Sequence, residues 1–405
     1  AIILLSMFLA GYLLVHLMPE QVGFVDALDI SGKLGKLNVI TDGMTAKGFN
    51  WGDNYNIWSG IIGGFFLALS YFGTDQSQVG RFLTGKSVRE SRLGLLMNGL
   101  VKIPMQFLIL LVGALLFSYY SFERAPLIFN QVQEERIQRS VYRDSFQLAQ
   151  VRYDSFQSIK RRVATEYVQA GGQGSVQASL LIPKLQQAQT EADAVRKQVK
   201  GWLNDRVPGG DGNDTNYIFI RFVLDHLPAG LVGLLIAMIF LASWGSIAAA
   251  INSLAACSMV DLHNRFAKHP AEGEQAYLLS KWYTLGWGIF CIVVAMFTYN
   301  IGNSLIEAVN ILGSLFYGVI LGVFLVALFI PVIRNATAVF WGLIIGELIV
   351  LGVFFSGYFF PDRFKIGFLW LNPIGAGAVV VFSLLLSVRM GQKNPRQVTG
   401  IDKLS

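Results

Sequence analysis

The residues Gly80–Ser87, GRFLTGKS, satisfy G-x-x-x-x-G-K-[ST], the spacing with which backbone N–H groups and a lysine cradle a phosphate. That chemistry needs a buried strand leading in and a helix leading out. The residues before it, IWSGIIGGFFLALSYFGTDQSQV, form an apolar run of helix length, and every other candidate strand is membrane-length. Nucleotide binding is therefore not expected, and Lys86 with its neighbouring arginines reads as a membrane anchor. A second set of residues offers oxygen donors. Ala242, Ser246, Ala249 and Ser253 recur at i, i+4, i+7 and i+11 and share one helical face with two hydroxyls. Such a face either lets a neighbouring helix approach closely or gives oxygens to a hard cation, which takes about five or six. Lys102, Asn310 and Glu347 are polar groups inside apolar runs. Lys102 is either placed for a task or snorkels to the headgroups, and Asn310 either binds or bridges helices. For Glu347 an interhelical hydrogen bond is favoured over ion coupling. Asp75 is expected to cap a helix or pair with Arg81. His263 and His269 lack metal-ligand spacing and read as solvated.

The elements that must hold these residues are set by composition. Hydrophobic residues make up 53% of the 405 and charged residues 14%, with a mean hydropathy of +0.50. A soluble domain carries about a quarter charged residues, so the chain reads as a multi-pass, all-α integral membrane protein. Cys257 and Cys291 lie in apolar runs and read as packing residues. The net charge of +6 calls for no nucleic acid, because basic residues flanking membrane spans account for it.

Spans are expected at about 1–18, 54–83, 93–121, 228–262, 279–300, 303–333, 337–359 and 365–389, with Gly302 allowing a tight reversal. Eight alternating spans put the basic segments 81–92, 263–281, Arg334 and the tail on one side, taken as cytoplasmic. The division is three spans in 1–121, an insertion and linker at 122–227, five spans in 228–389, and a cytoplasmic tail at 390–405. In the insertion, two polar stretches flank GGQG at 171–174 and predict an extracytoplasmic helical hairpin. Phe146 and Phe156, ten residues apart in a near-repeat, fall on one face able to meet a partner. Asn213-Asp214-Thr215, in a linker, is a glycosylation acceptor only in a eukaryotic secretory setting. The chain opens inside an apolar run and is read as the C-terminal portion of a longer protein.

Extended in both directions, the opening stretch becomes SYFGTDQSQVGRFLTGKSVRESRLGLLMNGLVKIPMQFLILLVGALLF, residues 70–117. Gly73, Thr74, Asp75, Gln76, Val79, Arg81, Leu83, Lys86, Ser87, Ser91 and Gly94 resemble the pattern of the sodium:solute symporter family, the sodium/glucose- and sodium/proline-type cotransporters. GSIAAAINSLAACSMVDLH (245–263) and IEAVNILGSLFYGVILGVFLVALF (306–329) resemble two further family segments, in the expected order. The outward insertion is similar to that of a bacterial branch. The resemblance implies part of a five-plus-five inverted-repeat transporter fold: the last helix of repeat 1, all of repeat 2 and two peripheral helices. It also implies that the family's first helix, which contributes to the transport site, lies outside this sequence.

The resemblance further implies sodium as coupling ion, held by the Ala242 carbonyl and the Ser246 hydroxyl, and solute contacts at Tyr71, Lys102 and Asn310. Gly245 stands where the family has another serine, and Ala68 where it has a sugar-contacting asparagine. The expected function is symport of a small polar organic solute (a sugar, polyol, carboxylate or amino acid) by alternating access. It would act across the bilayer of the cell's inner membrane, without cofactor, nucleotide or enzymatic chemistry. A non-transporting receptor or sensor on the same fold is the alternative.

Overall fold

Apolar runs of this length satisfy their backbone polar groups internally, and the chain does so with helices. The computed structural model describes residues 2–38, 41–46, 48–267, 270–297, 305–333, 335–359 and 365–390. His269, Gly302, Arg334 and the tail beyond 390 lie outside the described residues. The first helices are α1 Ile2–His16, α2 Phe24–Lys33, α3 Gly64–Thr74, α4 Gln76–Leu83 and α5 Val88–Phe122. There follow α6 Gln131–Gln138, α7 Arg143–Gln169, the short α8 Val176–Ser179, α9 Ile182–Arg206, α10 Ile218–His226 and α11 Ala229–Cys257. The series ends with the single turn α12 Asn264–Phe266, then α13 Gly273–Phe297, α14 Leu305–Phe329, α15 Ala336–Phe359 and α16 Leu371–Met390. A two-residue antiparallel ribbon pairs Met44–Thr45 with Gly48–Phe49. Among the described residues, six helices are long and apolar enough to cross a membrane, and Leu4–His16 and Ser59–Thr74 are shorter apolar helices.

The run 54–83 is not one helix. A π-helical turn, Ser59–Gly63, leads into α3, and Asp75 (φ −74°, ψ 114°) ends it. The Asp75 carboxylate accepts the N–H groups of Ser77 at 2.8 Å and Gln78 at 3.3 Å, so the residue caps α4 instead of continuing α3. A helix therefore leads into Gly80–Ser87, and the Lys86 N–H is taken by the Glu90 carboxylate at 2.8 Å.

The described chain divides into two units, Ala1–Val39 with Leu93–Ile239, and Ile40–Arg92 with Phe240–Ser405. In the first, α7 and α9 form an antiparallel hairpin: Tyr142 stacks on Trp202 at 5.9 Å, and Lys160 meets Gln189 further along. The seam on α9 is Leu185, Ala188, Ala192, Val195, Val199 and Leu203, all buried at three- and four-residue steps. Phe146 is buried, and Phe156 packs against the same core. Helix α2 is tied to α5 by Ser31 Oγ donating to the Ala114 carbonyl at 2.8 Å and Ser118 Oγ to that of Ala27 at 2.6 Å. Tyr167 Oη ties the hairpin to α2 by donating to Asp29 at 2.6 Å.

Lys160 is the costly residue of this unit. It is 3% exposed, its ammonium reaches Gln189 Oε1 at 3.2 Å, and it sits 5.9 Å from the Phe117 ring. Burial holds its pKa down to about 8, opposed by Asp193 and helped by Arg196 and Lys36. An unfolded lysine titrates near 10.4, so the unfolded chain holds more protons from about pH 8 upward and stability rises through that window. Lys160→Met is expected to stabilise the protein at pH 7 by on the order of 1–3 kcal/mol, with the gain shrinking above about pH 10. Urea unfolding at the two pH values checks this.

In the second unit, α16 packs against both α14 and α15. Gly318 and Gly322 of α14 face Asn372 and Ala376 of α16 in the same order, so these two run parallel. Gly342 of α15 faces Ser383 and Gly346 faces Val379, so α15 runs antiparallel to α16. Asn54 contacts Glu307 at 3.4 Å and Ser70 contacts Tyr317, which makes α3 parallel to α14. The core here is Leu315, Val319, Val350, Phe368, Leu369, Leu371 and Val379.

Candidate functional site

The end of α3 carries several polar groups just before the break at Asp75. Ser70 is fully buried and its Oγ donates to the Tyr317 carbonyl on α14 at 2.7 Å. One turn on, Thr74 Oγ1 donates to the Ser70 carbonyl at 2.9 Å. The rings of Tyr71 and Tyr317 lie 6.4 Å apart, inclined at 54°. Tyr317 Oη approaches Asp75 Oδ2 at 3.5 Å, a weak contact, while Ser77 Oγ donates to Oδ1 at 2.6 Å. Asp75 thus acts as the cap. Broken helices inside membrane proteins free backbone groups that have to be satisfied by neighbours or by a ligand.

Asn310 lies on α14, half-buried, four residues before the buried Ser314 and seven before Tyr317. Those steps put all three on one face, with Asn310 about 10 Å along the axis from Tyr317. Asn372 of α16 donates to Ser314 Oγ at 3.0 Å and to the Leu369 carbonyl at 3.2 Å. Tyr71 and Tyr317 thus meet between α3 and α14, and Asn310 lies about two turns away on the Tyr317 face of α14. Tyr317 and Ser70, which form this α3–α14 seam with Tyr71, were not singled out from sequence. The i+7 step from Asn310 to Tyr317 is the signal that identifies the face.

Ala242 and Ser246 sit on α11, and both are exposed. Ala255 is the only buried residue on that helix among the described residues. The small-residue face is present, and among the described residues no closed oxygen cage forms around it. Lys102 is exposed on α5, in the first unit. No group of three or more His, Cys, Asp or Glu side chains suited to a metal occurs among the described residues. Hydroxyls and carbonyls, the usual donors to sodium, fall outside that set.

Residues 197–346 match the model of the Sodium:solute symporter family. That stretch, a little over a third of the chain, is similar to the sodium:solute symporter family. The matched stretch takes in α11 with Ala242 and Ser246 and the Asn310 segment of α14, while Tyr71 and Lys102 precede it. Among its relatives is a sodium/sialic acid symporter of Aliivibrio fischeri, 29% identical over 193 residues, covering 47% of this chain and 36% of that protein. The sodium-dependent multivitamin transporter of Oryctolagus cuniculus is 33% identical over 135 residues, covering 33% of this chain and 21% of the relative. Sodium/glucose cotransporter 2 of Rattus norvegicus is 29% identical over 162 residues, covering 38% and 23%. The matched segments thus span about a fifth to a third of each relative's length. A solved Na+-coupled sialic acid symporter in a substrate-bound outward-open state has a TM-score of 0.51 at 17% identity, over 91% of this chain and 62% of that one. That likeness shows a shared all-α fold.

Proposed function

We propose that the full-length protein is a sodium-coupled symporter of a small polar organic solute, working by alternating access in the cell's inner membrane. The family match across α11 to α14 carries this reading. The polar seam at Ser70, Tyr71 and Tyr317, with Asn310 about two turns away on α14, supports it as the solute face, since a polar solute needs hydroxyl and amide partners at membrane depth. Relatives named for sialic acid, glucose and vitamins agree with a small polar cargo. Lys102 is proposed as a further solute contact.

Sodium fills a site at the Ala242 carbonyl and Ser246 hydroxyl once a second helix closes over the exposed face of α11. That closure supplies the remaining oxygens and favours the outward-open state. Gly245 removes one hydroxyl relative to the family pattern. Ser246 is then the remaining side-chain oxygen of the pair, so its loss weighs more. Ser246→Ala in the full-length protein is expected to reduce sodium-dependent uptake into proteoliposomes at least ~10-fold, the scale of losing a ligand worth more than about 1 kcal/mol. Unchanged sodium-dependent uptake would sink the assignment. Wild-type protein that binds solute but moves none would favour the receptor reading instead.

A further inference from the structure

The first unit holds a cleft of about 820 Å³ where the end of α5, the α6 helix, the first turns of α7 and the end of α10 converge. Its size falls in the range of small-molecule pockets, roughly 300–1,000 Å³. Two polar groups on its lining residues have no hydrogen-bond partner among the described residues, Tyr120 Oη and Arg221 Nη1. Tyr120 is only 7% exposed. Arg221 spends its Nε on Asp225 at 2.8 Å, while Nη1 is ion-paired with Glu134 at 3.8 Å, too long for a hydrogen bond, and so still has a hydrogen to donate. Leaving a buried donor unpaired costs about 1–3 kcal/mol, and two in one cleft point to something that fills it.

The donor set defines what fits. Arg221 Nη1 can only donate, so it asks for an acceptor oxygen. His226 Nδ1 lies 3.0 Å from the Phe222 carbonyl and so carries the proton, which leaves Nε2 to accept the Tyr119 hydroxyl at 2.7 Å. The Tyr119 oxygen is then available to accept from a ligand hydroxyl. Gln150 donates its amide to Asp154 at 3.0 Å, leaving its carbonyl oxygen as another acceptor. Arg124 is already committed to Asp154 through two contacts, at 2.7 and 3.3 Å.

We propose that this cleft is a binding site for a small hydroxylated carboxylate, with the carboxylate on Arg221 and Tyr120 and hydroxyls on Tyr119 and Gln150. It belongs to the first unit, whereas the α3–α14 seam belongs to the second, and it needs neither sodium nor transport. The test is thermal unfolding of the purified full-length protein in sodium-free buffer with D-gluconate, D-glucitol or acetate. Gluconate is expected to raise the midpoint by at least ~2 °C and the other two to leave it within error. Tyr120→Phe removes only the unpaired hydroxyl, so it is expected to raise the midpoint of the ligand-free protein and to at least halve the gluconate shift. Arg221→Lys keeps the charge and loses the planar second donor, and is expected to weaken gluconate at least ~10-fold. No gluconate shift, an equal shift with glucitol, or an undiminished shift in both variants would overturn the proposal and leave a water-filled cleft.

Discussion

Asp214→Ala is expected to destabilise the protein by up to about 3–5 kcal/mol, because it removes a buried carboxylate and strands two partly buried cations, Arg196 and Lys200. The carboxylate is 1% exposed and receives Arg196 Nη2 at 2.7 Å and Lys200 Nζ at 2.6 Å. It also accepts the Phe129 N–H at 2.8 Å, fastening the segment after α9 to the loop before α6. Burial alone would raise its pKa. The Arg196 charge, the Lys200 hydrogen bond and the Phe129 N–H outweigh burial and hold it below the usual carboxylate range. The folded value lies under the unfolded ~3.9, so the stabilisation is complete above that pH and fades as pH falls through the folded pKa. Urea unfolding should show the wild-type losing stability in acid below about pH 4 and the variant, already lacking this contribution, losing less. Equal acid slopes would refute this.

Gly318→Ala should disrupt the second unit. A Cβ at Gly318 meets the Asn372 carbonyl, which is backbone and cannot rotate away. Relief requires α14 and α16 to separate, which would pull Asn372 off Ser314 and open the core at Leu315 and Val319. Overpacking of this kind costs roughly 1–3 kcal/mol. Gly352→Ala on α15 is the matched control, since a Cβ there meets nothing within 4 Å. Helix propensity makes that change neutral or favourable by up to about 1 kcal/mol. Thermal unfolding in detergent distinguishes the two, and similar midpoints would show that the glycine contact is not limiting.

Hydropathy made most of the helices legible, because length and apolarity suffice to specify a helix in lipid. It did not expose the break at Asp75, since the run 54–83 stays apolar on both sides and only the cap geometry ends α3. The hairpin was legible from Gly171–Gly174 between polar stretches. The burial of Lys160 and Asp214 was not, because a charged residue on a polar helix reads as solvated until its neighbours are known. Tyr71 and Asn310 were reached through family resemblance. Tyr317 and Ser70 needed the pairing of α3 with α14, which one-dimensional periodicity does not supply: it names a face but not its partner. The cleft at Tyr120 was invisible for the same reason, as its lining comes from four helices.

The bond from Ser70 to the Tyr317 carbonyl joins residues 247 apart. At a synthesis rate of 5–20 residues per second, Ser70 waits roughly 12–50 s for that carbonyl to be made. Through that interval its hydroxyl has only its own helix to turn to, with the carbonyl one turn back as the ready acceptor. The α3–α14 seam is accordingly a late event in the birth of the protein, closed only after the whole insertion has been translated.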